Sequence, residues 1–218
     1  MSTFPNSPLL VKGGLVLIDA DTGALDRIVA LQYNPETLSR TLQVQGAGPE
    51  GGDTVEAMRL KGPPVETLKI EAIIDATDQL EFPDDNQTTV RVGIHPQLAA
   101  LETIIYPRSD QILANRARAE SGVLEIIPMT APLTLFVWSR NRVLPVRLTE
   151  FSITEESFDP NLNPIRAKIN LGMRVLSVND LGLVGKGASL FLTYQQQKER
   201  LAMNNATALA ALGLESLP

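Results

Sequence analysis

Apolar and polar residues alternate over most of the chain, and a period of two predicts strands. Residues 9–19 (LLVKGGLVLID) and 25–33 (LDRIVALQY) flank ADTG, where Asp-Thr-Gly supplies turn chemistry, so they predict an opening hairpin. In LQYNPETLSR the strand pattern breaks at Asn34-Pro35. A strand protein uses such a break as a corner, where the sheet turns to close on itself or to meet a neighbour. Alternation resumes over 37–45, with Leu38, Leu42 and Val44 on one side of the pleat and Arg40 on that same side near the edge. Residues 46–64, rich in glycine and proline and charged in both signs, predict a long loop, of a length that in compact domains is functional or disordered. VETLKIEAIID, from Val65, is the cleanest strand of the first half, with Leu68, Ile70, Ala72 and Ile74 on one face.

The stretch DATDQLEFPDDNQTT reads as a polar connector. The period then changes: in GIHPQLAALETIIYP, residues Leu98, Leu101, Ile104 and Ile105 share one helical face, Pro96 sits in the tolerated first turn, and Pro107 is the predicted stop. This helix is expected to cover an open face or mouth of the sheet. PLTLFVWS and RVLPVRLTEFSITEES predict a second hairpin around residues 139–142, and SFDPNLNP is a turn-rich connector. IRAKINLGMRVLSV sets Ile165, Ala167, Ile169, Leu171, Met173 and Val175 against Arg166, Lys168, Asn170 and Arg174. At about 14 residues it exceeds the usual strand and suits a barrel wall or a sheet extended by partner subunits. GASLFLTYQQQKERLAMNNATALAALGL predicts a C-terminal helix. The expected fold is therefore mainly β with one to two helices, a β-barrel or two-sheet antiparallel sandwich over residues 1–178 with a helical extension over 179–218.

Composition narrows the chemistry. A chain of 218 residues can bury its own core as one β-rich domain. The sequence has no cysteine, which removes disulfides and thiolate metal sites, and a net charge of −6 with pI about 4.9 argues against a generic nucleic-acid surface. The N-terminus, MSTFPNSPLL, has no basic start followed by an apolar core, and no apolar run approaches the roughly 20 residues that span a bilayer, so a soluble cytoplasmic chain is expected. His95 is the single histidine; a Ser-His-Asp catalyst would need a nucleophile beside it, no nucleophile elbow is present, and the residue reads as a helix entry. With one imidazole, a transition-metal site is not expected, and no cofactor motif is present. Asp84-Asp85 and Glu155-Glu156 read as solvated charge, and GLVGKGAS, which lacks phosphate-loop spacing, reads as a hinge. Basic residues concentrate in the second half (Arg116, Arg118, Arg140, Arg142, Arg147, Arg166, Lys168, Arg174), which fits either an anionic-ligand face or the polar face of a sheet; the alternation favours the latter.

Taken in order, LQYNPETLSR, RLKGPPVETLKIEAIIDATD, GIHPQLAALETIIYP, and the stretch from PLTLFVWS through FDPNLNPIRA to MRVL resemble the contractile injection system tube-protein family. These are baseplate tube-initiating or spike-adaptor subunits of phage-tail-like particles. The resemblance spans residues 10–178 and implies a tail-tube fold assembled as a ring around a channel, with strands of neighbouring subunits side by side. It implies a structural, non-enzymatic protein joining the spike or hub to the inner tube. Expected partners are further copies of itself in a ring, taken as a hexamer, then spike or hub protein and inner-tube protein, with baseplate and sheath proteins as further candidates, and neither nucleic acid nor membrane. Assembly in the cytoplasm and then a place in a phage-tail-like particle is the expected localisation, with release of that particle from the cell as an open option. Members often carry a C-terminal LysM module after the tube-like domain; the sequence here continues into one expected helix, so no property of that module is carried over. Expected interface residues are Tyr33, Asn34 and Pro35 at the corner, Arg59 and Lys61 on the loop, and Phe158, Asp159 and Pro160 in the connector. The alternatives are a stacked inner-tube subunit of the same particle and, from another class, a ligand-binding barrel or a hydrolase using His95.

Overall fold

The computed structural model describes residues 10–20, 22–46, 59–121, 131–182 and 184–205. The predicted opening hairpin is present as β1 (Gly14–Ile18) and β2 (Leu25–Ala30), paired from Gly14↔Ala30 to Ile18↔Leu25. Its turn is built by the Asp19 carboxylate, which accepts from the Thr22 N–H at 2.7 Å and the Thr22 hydroxyl at 2.8 Å. The strands approach so closely that a Cβ at Gly14 would lie 2.6 Å from the Val29 carbonyl oxygen.

Asn34 turns the chain after β2. Its carboxamide donates to the Val11 carbonyl and accepts from the Gly13 N–H, both at 2.9 Å, tying the corner to the segment that enters β1. Asn34→Ala strands both backbone groups and is expected to cost about 2 kcal/mol. Denaturant titration measures it; an unmoved midpoint would mean that water replaces both bonds.

The remaining strands are β3 (Leu38–Gln43), β4 (Val65–Asp75), β5 (Leu133–Ser139), β6 (Arg142–Phe158) and β7 (Pro164–Val175). Together the seven form one antiparallel sheet in the order β2-β1-β5-β6-β7-β4-β3. The mainly β expectation holds, and hydrogen bonding joins the strands into one sheet because the β6–β7 ladder, from Val146↔Val175 to Phe158↔Pro164, connects the two halves. An extra residue in β6 between Leu148 and Glu150, opposite Gly172, bulges the ladder, a device that bends and twists a long strand.

The sheet curls until β2 and β4 face each other across a seam. There the Gln32 carboxamide donates to the Asp75 carbonyl at 2.6 Å and accepts from the Asp75 N–H at 2.9 Å, one rung of a ladder that the two backbones do not otherwise make. Six helices complete the described residues: α1 (Thr77–Leu80), α2 (Gln87–Val92), α3 (His95–Glu102), α4 (Ser109–Glu120), α5 (Val178–Leu181) and α6 (Lys186–Met203). α3 covers the seam with Leu98 and Leu101 buried, while Arg27 of β2 reaches its Ala100 carbonyl and the Thr103 hydroxyl. The predicted helix ends at Glu102, well before Pro107. Ile104 is buried just beyond it and Ile105 is exposed, so the apolar stripe ends one residue earlier than the periodicity implied.

α1 and α2 occupy the stretch read as a polar connector. They bury only Thr89 between them, so no apolar period announced them. α4 buries no residue at all and was equally silent in the pattern. The GLVGKGAS hinge lies between α5 and α6, with Gly182 (φ 72°) and Gly185 (φ 115°) in the left-handed region that glycine tolerates.

The main core fills the inside of the curl, with Leu15, Leu17, Phe136, Leu144 and Val146 from one flank meeting Leu68, Ile70, Ile169, Leu171 and Met173 from the other. A smaller cluster lies on the outer face, where Ile18, Leu133 and Leu135 meet Leu190 of α6. β1 and the first half of β5 are therefore covered on both faces, the physical reason that LVLI of β1 reads as a continuous apolar run instead of an alternation and that Thr134 is buried.

Candidate assembly surface

Strand edges are the first feature of this surface. β5 pairs with β6 only up to Thr134↔Val146, so residues 148–158 of β6 have β7 as their sole ladder partner among the described residues. The outer edges of β2 and β3 are likewise unpaired there. Exposed apolar side chains accompany these edges: Leu25 and Ile28 on β2, Leu42 on β3, and Phe158 at the end of β6. Unpaired N–H and C=O groups beside apolar side chains are a template for pairing with another chain.

A buried ion network ties the C-terminal helix to this sheet. Glu66 of β4, whose side chain is only 4 % exposed, accepts from Arg40 Nε at 2.9 Å and Nη2 at 2.7 Å and from Lys198 Nζ at 3.3 Å. Arg40 also reaches the Tyr194 hydroxyl at 3.1 Å, and Lys198 lies 4.0 Å over the Tyr194 ring. Burial opposes the charge on Arg40, but its hydrogen bonds and attraction to Glu66, with Tyr194 adding to both, hold its pKa above the usual value. The sequence placed Arg40 on the apolar side of its strand; its reason for being there, a carboxylate from β4 and a cation from α6, is visible only in three dimensions.

The basic face of β7 is self-compensated. Arg166 faces Asp75 at 3.8 Å and Glu156 at 3.6 Å, Lys168 pairs with Glu156 at 3.0 Å, Arg174 with Asp180 at 2.7 Å, and Lys69 on the neighbouring strand with Glu150 at 2.9 Å. Glu156, read as solvated charge, thus serves two cations. Asp75 is held below the ordinary carboxylate range, first by the Thr77 hydroxyl and with help from the Thr77 N–H and Arg166, against burial. A face on which these cations already have carboxylate partners is a poor receptor for an anionic ligand, and it is the polar side of a sheet wall.

The β6–β7 connector is a clasp. Asp159 accepts from the N–H groups of Asn161 (2.7 Å) and Asn163 (2.8 Å) and from the Asn163 carboxamide (2.8 Å). Those bonds, the Asn163 side chain foremost, lower its pKa. A depressed folded-state pKa means that the stabilisation is complete above the unfolded value and is lost as pH falls through the folded one. Lowering the pH from about 5 to about 2 is therefore expected to strip protection from the Asn161 and Asn163 amides before the sheet unfolds. Amide exchange followed by NMR reads this directly, and amides that stay protected throughout would refute it.

Of the predicted interface residues, Asn34 and Pro35 form the corner, with Tyr33 exposed beside them. Gln32, bonded to Asp75, brings that corner to the end of the sheet where Asp75 pairs with Arg166 and the connector Phe158, Asp159 and Pro160 follows. Arg59 and Lys61 lie at the other end, where Lys61 N–H donates to Gln45 beyond β3. Two of the three predicted patches thus share one end of the wall, separated from the third by the length of β4, about 33 Å. The rest of the predicted long loop lies outside the described residues. His95 is exposed at the start of α3 and has no hydrogen-bonding partner among the described residues, so no triad is assembled around it. Among the described residues no group of three or more His, Asp or Glu side chains is placed to hold a metal ion, and no helix is long and apolar enough to cross a membrane. Sequence reasoning missed Gln32, Glu66, Tyr194 and Lys198; the one signal was an arginine on the apolar side of a strand, which calls for a buried carboxylate elsewhere.

No family model matches the chain, and no curated protein matches it. Similar solved structures include the tail of an empty gene transfer agent (GTA) particle with C6 symmetry, at 12% identity and a TM-score of 0.28, covering 75% of this chain and 90% of that chain. The virion of the native GTA particle contains another, at 13% identity and a TM-score of 0.25, covering 74% of this chain and 90% of that one. Overlays this loose carry no functional assignment.

Proposed function

We propose that the chain is a structural, non-enzymatic component of a phage-tail-like particle, and within it a ring-forming baseplate subunit that joins the spike or hub to the inner tube. The observation that carries this reading is the stretch 148–158 of β6, strand-paired on one side only among the described residues and ending in exposed Phe158. A free monomer with such an edge risks aggregation, whereas ring closure against a neighbouring strand satisfies it. The ordered sequence resemblance to tube-protein subunits supplies the kind of ring. In this reading residues 1–178 form the wall and 179–218 are the extension that α6 secures through Glu66. The self-compensated face of β4, β6 and β7 suits a channel wall that passes cargo without retaining it. Assembly takes place in the cytoplasm, and the particle is the final location.

Light scattering and negative-stain imaging of the purified chain, alone and mixed with tube and spike proteins, test the proposal. Rings one subunit thick, alone or formed with the spike protein, are the expected result. Open-ended stacks would make it the inner-tube subunit, and a monomer that ignores both partners would refute the structural reading.

A further inference from the structure

The β6–β7 connector presents two apolar side chains at unusual local cost. Ser157 (φ 56°) and Leu162 (φ 63°) are the only non-glycine residues with positive φ among the described residues, and they bracket this tip. Leu162 is 78% exposed and Phe158 is 49% exposed, while the Asp159 clasp fixes the backbone between them. A branched apolar residue in a left-handed conformation, held out to solvent, is a poor choice for a turn that needs only to reverse the chain.

Nearer the middle of the same strand, beside Val146 to Leu148, lies an apolar cleft of about 440 Å³, bordered by Ile104, Ile105, Leu133, Leu148 and Leu176. Arg147 stands at its rim, exposed and without an ion-pair partner among the described residues. Leu148 and Phe158 are ten residues apart along β6, about 33 Å, so a tip cannot reach the cleft of its own chain. Knob and cleft are on different surfaces of one molecule, the arrangement that makes a head-to-tail contact between copies.

From this geometry we infer that Phe158 and Leu162 of one copy seat in the cleft of the next, with Asp159 at the rim facing Arg147. The charges are complementary, and the tip is set rigidly before contact, which limits the ordering cost of binding. This inference rests on the self-assembly reading above and names the surfaces through which it operates.

The absence of cysteine makes the test clean. Leu162→Cys and Ile105→Cys chains, mixed and mildly oxidised, are expected to give a covalent dimer that neither forms alone. If the mixture assembles by light scattering but yields no mixed dimer, the contact is wrong and the assembly reading survives. If nothing assembles, either alone or with the spike and tube proteins added, that reading falls and the contact with it. Ile105→Cys must also react with a thiol reagent in the free chain; a blocked thiol would show the cleft filled by the chain's own residues and overturn the inference. A second variant separates contact from folding. Asparagine tolerates the left-handed region, so Leu162→Asn is expected to leave or raise the melting temperature while weakening self-association about tenfold. Unchanged association would overturn the inference.

Discussion

Phe136→Ala is expected to lower the unfolding free energy by about 4 kcal/mol, the largest effect of any single truncation considered for this chain. Phe136 is fully buried on the inner face of β5, paired with Leu15 of β1 and Leu144 of β6, so its ring lies in the flank of the sheet that meets Leu68 and Ile70 from the opposite side. Removing it costs the transfer energy of the ring and leaves a cavity that three hydrogen-bonded strands cannot collapse to fill. It also removes the partner of Trp138, whose ring is stacked on Phe136 at 5.8 Å between centroids. Trp138 is the sole tryptophan, so the loss is legible twice, as a lowered denaturation midpoint and as altered native tryptophan emission. A midpoint moved by less than a quarter of the expected amount would show that the two flanks do not share one core.

Arg40→Met is expected to destabilise by about 3 kcal/mol, because it leaves the Glu66 carboxylate buried with Lys198 as its only remaining cation. Lys198 approaches from α6 at 3.3 Å with a third of its side chain exposed, a weaker partner than the two-nitrogen contact it would have to replace. The double variant Arg40→Met/Glu66→Met is expected to recover most of the loss, since the carboxylate disappears and Lys198 can turn to solvent. Denaturant titration of the three proteins gives the coupling, and hydrogen exchange over residues 194–203 shows whether the end of α6 loosens in the single variant alone. Equal destabilisation in single and double variants would mean that Arg40 acts by packing and that Glu66 is not the anchor of the helix.

The strands were legible where one face meets the core and the other meets water. VETLKIEAIID is β4 residue for residue, and the alternation from Ile165 to Val175 is buried on the side its pattern named, because burial on a single face imposes a period of two. The corner at Asn34 was legible for a local reason as well: proline ends the ladder, and an asparagine side chain can bond backbone groups in its place. Helices α1, α2 and α4 were not legible, since elements that bury almost nothing leave no apolar stripe.

The chain by itself determined that it would be built of strands, where the corner and the hairpins fall, and that it offers no cysteine and one histidine. Only the tertiary structure decided that seven strands share one curled sheet, that Gln32 bridges its seam, that Arg40 meets Glu66, Tyr194 and Lys198, and that an apolar tip and an apolar cleft stand well apart along β6. The division has a physical reason. Strand period, turn chemistry and composition act between residues adjacent in the chain, whereas sheet order, buried ion pairs and surface clefts join residues as much as 154 positions apart, as Arg40 and Tyr194 are.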